Sequence, residues 1–113
     1  MITVRRRELF GLEFVLKVEG HAGQAEPGQD IVCSAASILA YTLAQEIKFR
    51  HKDGHLEGEP TIVLEDGDAT ISCKVKKELE QDMRVVFDTI MSGFELIEHN
   101  YPQYLEILYV DDD

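Results

Sequence analysis

The sequence predicts an α+β fold, in which a mostly antiparallel sheet packs against two long helices. Three observations support this prediction. Alternating apolar and polar residues mark several short strands, two long segments repeat apolar residues at helical spacing, and the elements follow the order β-β-α-β-β-α-β. The length of 113 residues suits a single domain, here residues 1–113, built around one hydrophobic core.

The first two strands are predicted from period-two alternation near the amino terminus. Residues 2–6 and residues 13–19 each place apolar side chains on one face and polar side chains on the other. The segment 9–11 between them suits a hairpin connection. Residues 20–30 follow with three glycines and a proline, a composition typical of a loop.

The first long helix is predicted from Ile31 to about Phe49, with Asp30 as its N-cap. The Asp30 carboxylate can accept hydrogen bonds from backbone amides of the first turn. Small and apolar residues return every three or four positions and form one face that can pack against a sheet. Basic residues cluster at the end of the segment, where the helix dipole favours positive charge.

The second half of the chain repeats this scheme. Strands at residues 61–65 and 68–75 flank an Asp-Gly pair, which is a strong signal for a two-residue hairpin turn. An apolar helical stripe covers about residues 77–100, and a last strand is predicted at residues 104–110. The pattern leaves open whether both helices lie on the same face of the sheet.

The charge balance limits the classes of partner. The chain has 22 acidic and 11 basic side chains, a formal charge of −11, which argues against binding to nucleic-acid phosphates. A basic peptide would be attracted to such a surface, although the charge also serves solubility. No apolar run is long enough for a membrane span, and no apolar stretch of a secretory signal follows the first arginines. Two cysteines are too few for a disulfide framework, so we expect the reducing cytoplasm.

A histidine and a cysteine are the strongest candidates for chemistry. Cys33 falls in the first turn of the predicted helix, where unpaired amides and the positive end of the helix dipole favour a thiolate. His21 falls at a strand end and could take the thiol proton and later donate one to a leaving group. The competing interpretation is that Cys33 is a small buried hydrophobe and His21 a surface residue of the loop.

Three further residues, Ser34, Ser37 and Cys73, carry groups that could take part in chemistry. The Ser34 amide, together with that of Cys33, is a possible oxyanion donor. Ser37 lies one helical turn after Cys33, where its hydroxyl either serves the site or bonds back to its own helix. Cys73 alternates with apolar residues in a strand and is predicted to be inert core. The paired ligand spacing of a structural zinc site is missing, so neither a metal nor another cofactor is expected.

The run Gly20-His21-Ala22, followed by residues 28–33 and then 35–39, resembles the signature of the ribosomal-processing cysteine protease Prp family. The resemblance extends over the whole chain in length and element order, and its specific part is the segment 20–39. It implies a homodimeric cytoplasmic cysteine protease. Members of the family remove a short N-terminal extension from large-subunit ribosomal protein number twenty-seven before that protein joins the ribosome.

The resemblance also assigns roles to residues of this chain. It implies that Cys33 is the nucleophile, that His21 is the general base, and that no metal or cofactor takes part. Position 34 is serine where the family more often has alanine, a departure that leaves the histidine and the cysteine intact. Supporting or substrate-binding positions fall on Gly20, Asp30, Ser34 and Ser37.

An alternative function of a different class stays open at this stage. An acidic dimer without catalytic activity could dock on a basic ribosomal protein, as a ribosome-associated binding module. Both alternatives predict a ribosomal protein precursor with a basic N-terminal region as the partner, without direct contact to nucleic acid or membrane. The reactivity of the Cys33 thiol separates them, because only an enzyme needs a thiolate there.

Overall fold

The computed structural model describes residues 1–10, 12–20 and 29–112 of the chain. The observed element order confirms the predicted α+β fold. A short 3₁₀ turn, Lys77–Leu79, precedes the second helix. The elements are β1 (Ile2–Leu9), β2 (Glu13–Glu19), α1 (Gln29–Lys52), β3 (Thr61–Glu65), β4 (Asp68–Lys74), α2 (Glu80–Asn100) and β5 (Leu105–Asp112).

The five strands form one sheet in the order β3-β4-β2-β1-β5. The pairs β1–β2, β2–β4 and β3–β4 are antiparallel, and β1–β5 is parallel. The predicted mostly antiparallel sheet is therefore confirmed, with one parallel pair at the β5 side. The predicted Asp-Gly turn joins β3 to β4 at the closing pair Glu65↔Asp68.

Both helices pack on the same face of this sheet, which answers the question that the pattern left open. Strand residues alternate in exposure: Val4 is fully buried, whereas Arg5, the next residue in the chain, is exposed on the opposite face. The helices also pack against each other, with α1 over β4 and α2 over β5 and β2. At their contact, a Cβ on Gly93 would lie 2.7 Å from Leu39 Cδ2, so glycine permits this close approach.

The helix boundaries differ from the prediction. α1 begins at Gln29, so Asp30 lies inside the first turn and not at the N-cap, which corrects the predicted capping position. An acidic residue there still suits the helix dipole. α1 also continues to Lys52, because good helix formers and a basic last turn extend it beyond the apolar stripe.

An ion-pair cluster joins β1 to α2 at the carboxyl end of β1. Arg6 is only 8 % exposed, and its Nη1 donates to Asp88 Oδ1 at 2.6 Å. Arg84 donates to both carboxylate oxygens of Glu8, an ion pair that raises the pKa of Arg84 above its ordinary value. The Arg6 guanidinium also lies 5.6 Å from the centre of the Phe87 ring. Charge pairing and aromatic contact together fix this end of the sheet to α2.

Candidate active site

A groove with a volume of about 120 Å³ opens between α1 and one end of the sheet. This is the end where β1 begins, β2 ends and the β3–β4 hairpin turns. The first turns of α1 form one wall, and the hairpin, from Leu64 to Ala69, forms the other. The helix wall consists of Cys33, Ala36, Ser37, Ala40 and Tyr41. The floor of the groove is lined by the sheet residues Ile2, Val18 and Gly20.

Cys33 is the fifth residue of α1 and lines this groove. Its neighbours Val32 and Ala36 are buried in the core, whereas Cys33 itself is half-buried. The thiol is therefore held by a packed helix and still faces an opening. Because α1 starts at Gln29 and not at Ile31, Cys33 lies where the first turn passes into the second, two residues further in than predicted.

The two serines near Cys33 take different positions. Ser37 lines the groove together with Cys33, as their spacing of one turn predicts. Ser34 is exposed and is not among the described residues that line the groove. The start of α1 at Gln29 gives the Cys33 and Ser34 amides acceptors within the helix, and their possible role as oxyanion donors stays a prediction. The amides without an intrahelical acceptor belong to the residues from Gln29 to Ile31.

Gly20 forms a corner of the groove with a backbone conformation that requires glycine. Its φ is +111°, and a Cβ built there would collide with the carbonyl oxygen of Met1. Its amide donates to the carbonyl oxygen of Gly67 at 3.1 Å. This bond ties the end of β2 to the β3–β4 hairpin. The glycine therefore serves the shape of the site through its backbone.

Two of the predicted site positions cannot be placed in the groove. His21 lies outside the described residues, and so does the side chain of Asp30. Their predicted roles as general base and as supporting carboxylate stay predictions. Of the predicted positions, the structure brings together Gly20, Cys33 and Ser37.

Cys73 has the opposite environment from Cys33. It lies in β4 and is 3 % exposed. Burial, with a smaller contribution from the nearby negative charge of Glu13, raises the pKa of the Cys73 thiol to about 12. The prediction that this cysteine lies in the core is confirmed, and its low reactivity stays a prediction.

The acidic hairpin beside the groove was not predicted as part of the site. Glu65, Asp66 and Asp68 all line the groove opposite α1. The sequence marks these residues as a turn, but only the pairing of β2 with β4, which sets Val18 opposite Ala69, brings the turn to Cys33. Long-range register of this kind leaves no local signal in the sequence.

Among the described residues, no three His, Cys, Asp or Glu side chains come together as a potential metal site. No helix in the described part of the chain has the length and apolar character needed to cross a membrane.

A thiol near the start of a helix, held in the wall of a groove, is the arrangement of an enzyme that works through a cysteine. The comparison with known families defines the class further. The family model for cysteine protease Prp matches residues 1–106, and the chain belongs to this family. The protein is therefore a cysteine protease. Among curated protein sequences, none matches this chain.

Solved structures with the same fold include members of this family. The ribosomal processing protease Prp from S. aureus, in complex with a substrate peptide, superposes with a TM-score of 0.72 at 21% sequence identity, covering 97% of this chain and 100% of that one. The same protease with a covalently linked product peptide gives 0.68 at 22% identity, with the same coverage. SMU.848 from Streptococcus mutans gives 0.69 at 21% identity, covering 99% of this chain and 96% of that one. At these identities the likeness concerns the fold.

Proposed function

We propose that this protease cleaves its substrate with Cys33 as the nucleophile and His21 as the general base. The observation that carries the proposal is the position of Cys33, half-buried in a groove near the amino-terminal end of α1. The other cysteine is buried in the core, which leaves Cys33 as the thiol that a substrate can reach. The spacing of His21 and Cys33 in the family-like segment supports the pairing.

The proposed reaction is acyl transfer in two stages. His21 accepts the thiol proton, and the Cys33 sulfur attacks the scissile carbonyl carbon to form a tetrahedral oxyanion. Free amides at the start of α1 suit the stabilisation of this negative charge. The oxyanion then collapses, the C–N bond breaks, and His21 donates its proton to the leaving amine. Water hydrolyses the thioester, releasing the new carboxylic acid and restoring the thiol.

We infer that the substrate is the precursor of large-subunit ribosomal protein number twenty-seven, from which the enzyme removes an N-terminal extension. Membership of the Prp family supports this inference, and so does one structural relative that is described as a ribosomal processing protease and was solved with a substrate and with a product peptide. The formal charge of −11 suits a basic precursor, and it predicts that kcat/KM falls with salt more than kcat. We further infer a cytoplasmic homodimer, which light scattering would contradict by giving the mass of a monomer.

Incubation with the organism's own precursor ribosomal protein tests the function, with intact mass as the measurement. We expect cleavage by the wild type and by Cys73→Ala, which controls for the loss of a thiol. Cys33→Ala and His21→Ala should each lose cleavage, and the double variant should be about as inactive as either, because the two groups act as one unit. Cleavage by Cys33→Ala contradicts the assignment. Tight binding of the precursor by the wild type without cleavage would favour the binding module.

A further inference from the structure

The two edge strands of the sheet, β5 and β3, differ in whether their outward-facing backbone groups are hydrogen-bonded. On β5, the outward-facing amide of Ile107 donates to Glu98 Oε2 at 2.8 Å, so α2 occupies the hydrogen-bonding position that another strand would use. On β3, the register Val63↔Thr70 turns Val63 toward β4 and leaves the backbone groups of Ile62 and Leu64 facing outward. Within the described residues these groups have no hydrogen-bond partner.

The open β3 edge leads into the groove that contains Cys33. Leu64 and Glu65, at the end of β3, line the groove across from the helix wall. Leu64 is 36% exposed, and its side chain lies on the face of the sheet that carries the helices, since it pairs in register with the groove residue Ala69. A chain paired with this edge would therefore reach the groove that Cys33 lines.

We propose that the substrate peptide binds as an added strand on the edge of β3, its backbone bonded to Ile62 and Leu64, and that this pairing leads the scissile bond to Cys33. The proposal rests on the proposed protease function. Strand addition is a general mode of peptide recognition, in which main-chain hydrogen bonds provide affinity for an extended chain. It explains how a small groove holds a long substrate, because most of the contact lies on the strand edge outside the groove.

A basic peptide is the occupant that the charges favour. Glu65, Asp66 and Asp68 lie around the end of this edge, where they attract a substrate with lysine or arginine beside the scissile bond. A second copy of this chain would bring another formal charge of −11 to this acidic edge, and the two copies would repel each other. A basic peptide would instead lower the net charge at this edge.

The substitution Leu64→Pro tests the pairing at a single backbone amide. Leu64→Pro removes only an outward-facing amide, which an edge strand tolerates, and Leu64→Ala controls for the lost side chain. Each change is made in the active enzyme for kcat/KM and in the Cys33→Ala background for the Kd of a synthetic peptide that spans the precursor's extension. We expect Leu64→Pro to lower kcat/KM and weaken the Kd about 5- to 10-fold relative to Leu64→Ala, through the loss of one backbone hydrogen bond.

A scan of singly N-methylated peptides tests the same pairing without changing the protein. Because alternate residues of an added strand face the edge, inhibition by the methyl group should follow a period of two along the flank of the scissile bond. A scan without this period, together with equal Kd values for the two Leu64 variants, overturns the proposal. A change of mass in light scattering for Leu64→Pro, with unchanged Kd, would assign the edge to a second copy instead. Cleavage by Cys33→Ala would instead overturn the proposed function, while the Kd values still decide the strand pairing.

Discussion

Iodoacetamide should distinguish the two cysteines of the native protein by at least about three orders of magnitude in rate. The magnitude follows from Cys73, whose pKa is raised from the ordinary 9.0 to about 12. At neutral pH that shift lowers its thiolate fraction about 1000-fold relative to an ordinary thiol, since each pKa unit is a factor of ten. Burial in β4 slows the reagent further. Cys33 in its groove has no such burial, so we expect it to be alkylated first.

Peptide mass spectrometry after timed quenching measures the two alkylation rates separately. Alkylation of Cys33 should be complete while Cys73 is still unmodified. The same reaction in concentrated urea provides the control, because unfolding removes the burial of Cys73 and should bring the two rates together. Equal rates in the native protein would refute the reasoning, since they would mean that the core around β4 opens as readily as the groove.

Two other perturbations follow from the same structure. Because the pKa of Cys73 is higher in the folded state than in the unfolded chain, its contribution to stability is complete below the ordinary value of 9.0 and is lost as pH rises toward about 12. Wild type should therefore lose up to about 1.4 kcal/mol more per pH unit than Cys73→Ala in that window, measured by urea unfolding. Gly20→Ala should lower the free energy of unfolding by about 1–3 kcal/mol, because alanine is strained at this positive φ. It should also lower activity by shifting the groove. A variant with the urea midpoint and the activity of the wild type would contradict this prediction.

Much of the fold was predictable because its signals are local. Period-two alternation located β2 at its observed ends, and the Asp-Gly pair located β3 and the turn that follows it. The start of α1 was less predictable, since Asp30 suits both an N-cap and a first-turn position.

The parts of the site that the sequence did not predict depend on contacts between residues far apart in the chain. Nothing in the residues around Gly67 indicates that its carbonyl accepts a bond from Gly20, and that bond sets the hairpin beside the groove. The parallel pairing of β5 with β1, across almost the full length of the sequence, is equally invisible to periodicity. The sequence therefore predicted the nucleophile candidate and its helix but not the opposite wall.

The two ends of the sheet differ in a way that connects stability to the site. Where β1 ends, the buried Arg6 and its ion pair with Asp88 hold α2 against the sheet, and large aromatic rings fill the space below. Where β1 begins, the helix presents Ala36 and Ala40, so the same helix-on-sheet packing leaves a groove. Filling that groove with larger side chains would bury more apolar surface at the cost of access to Cys33. The small residues of α1 therefore leave the Cys33 thiol accessible from the groove, whereas the ion pair and the aromatic rings close the opposite end of the helix–sheet interface.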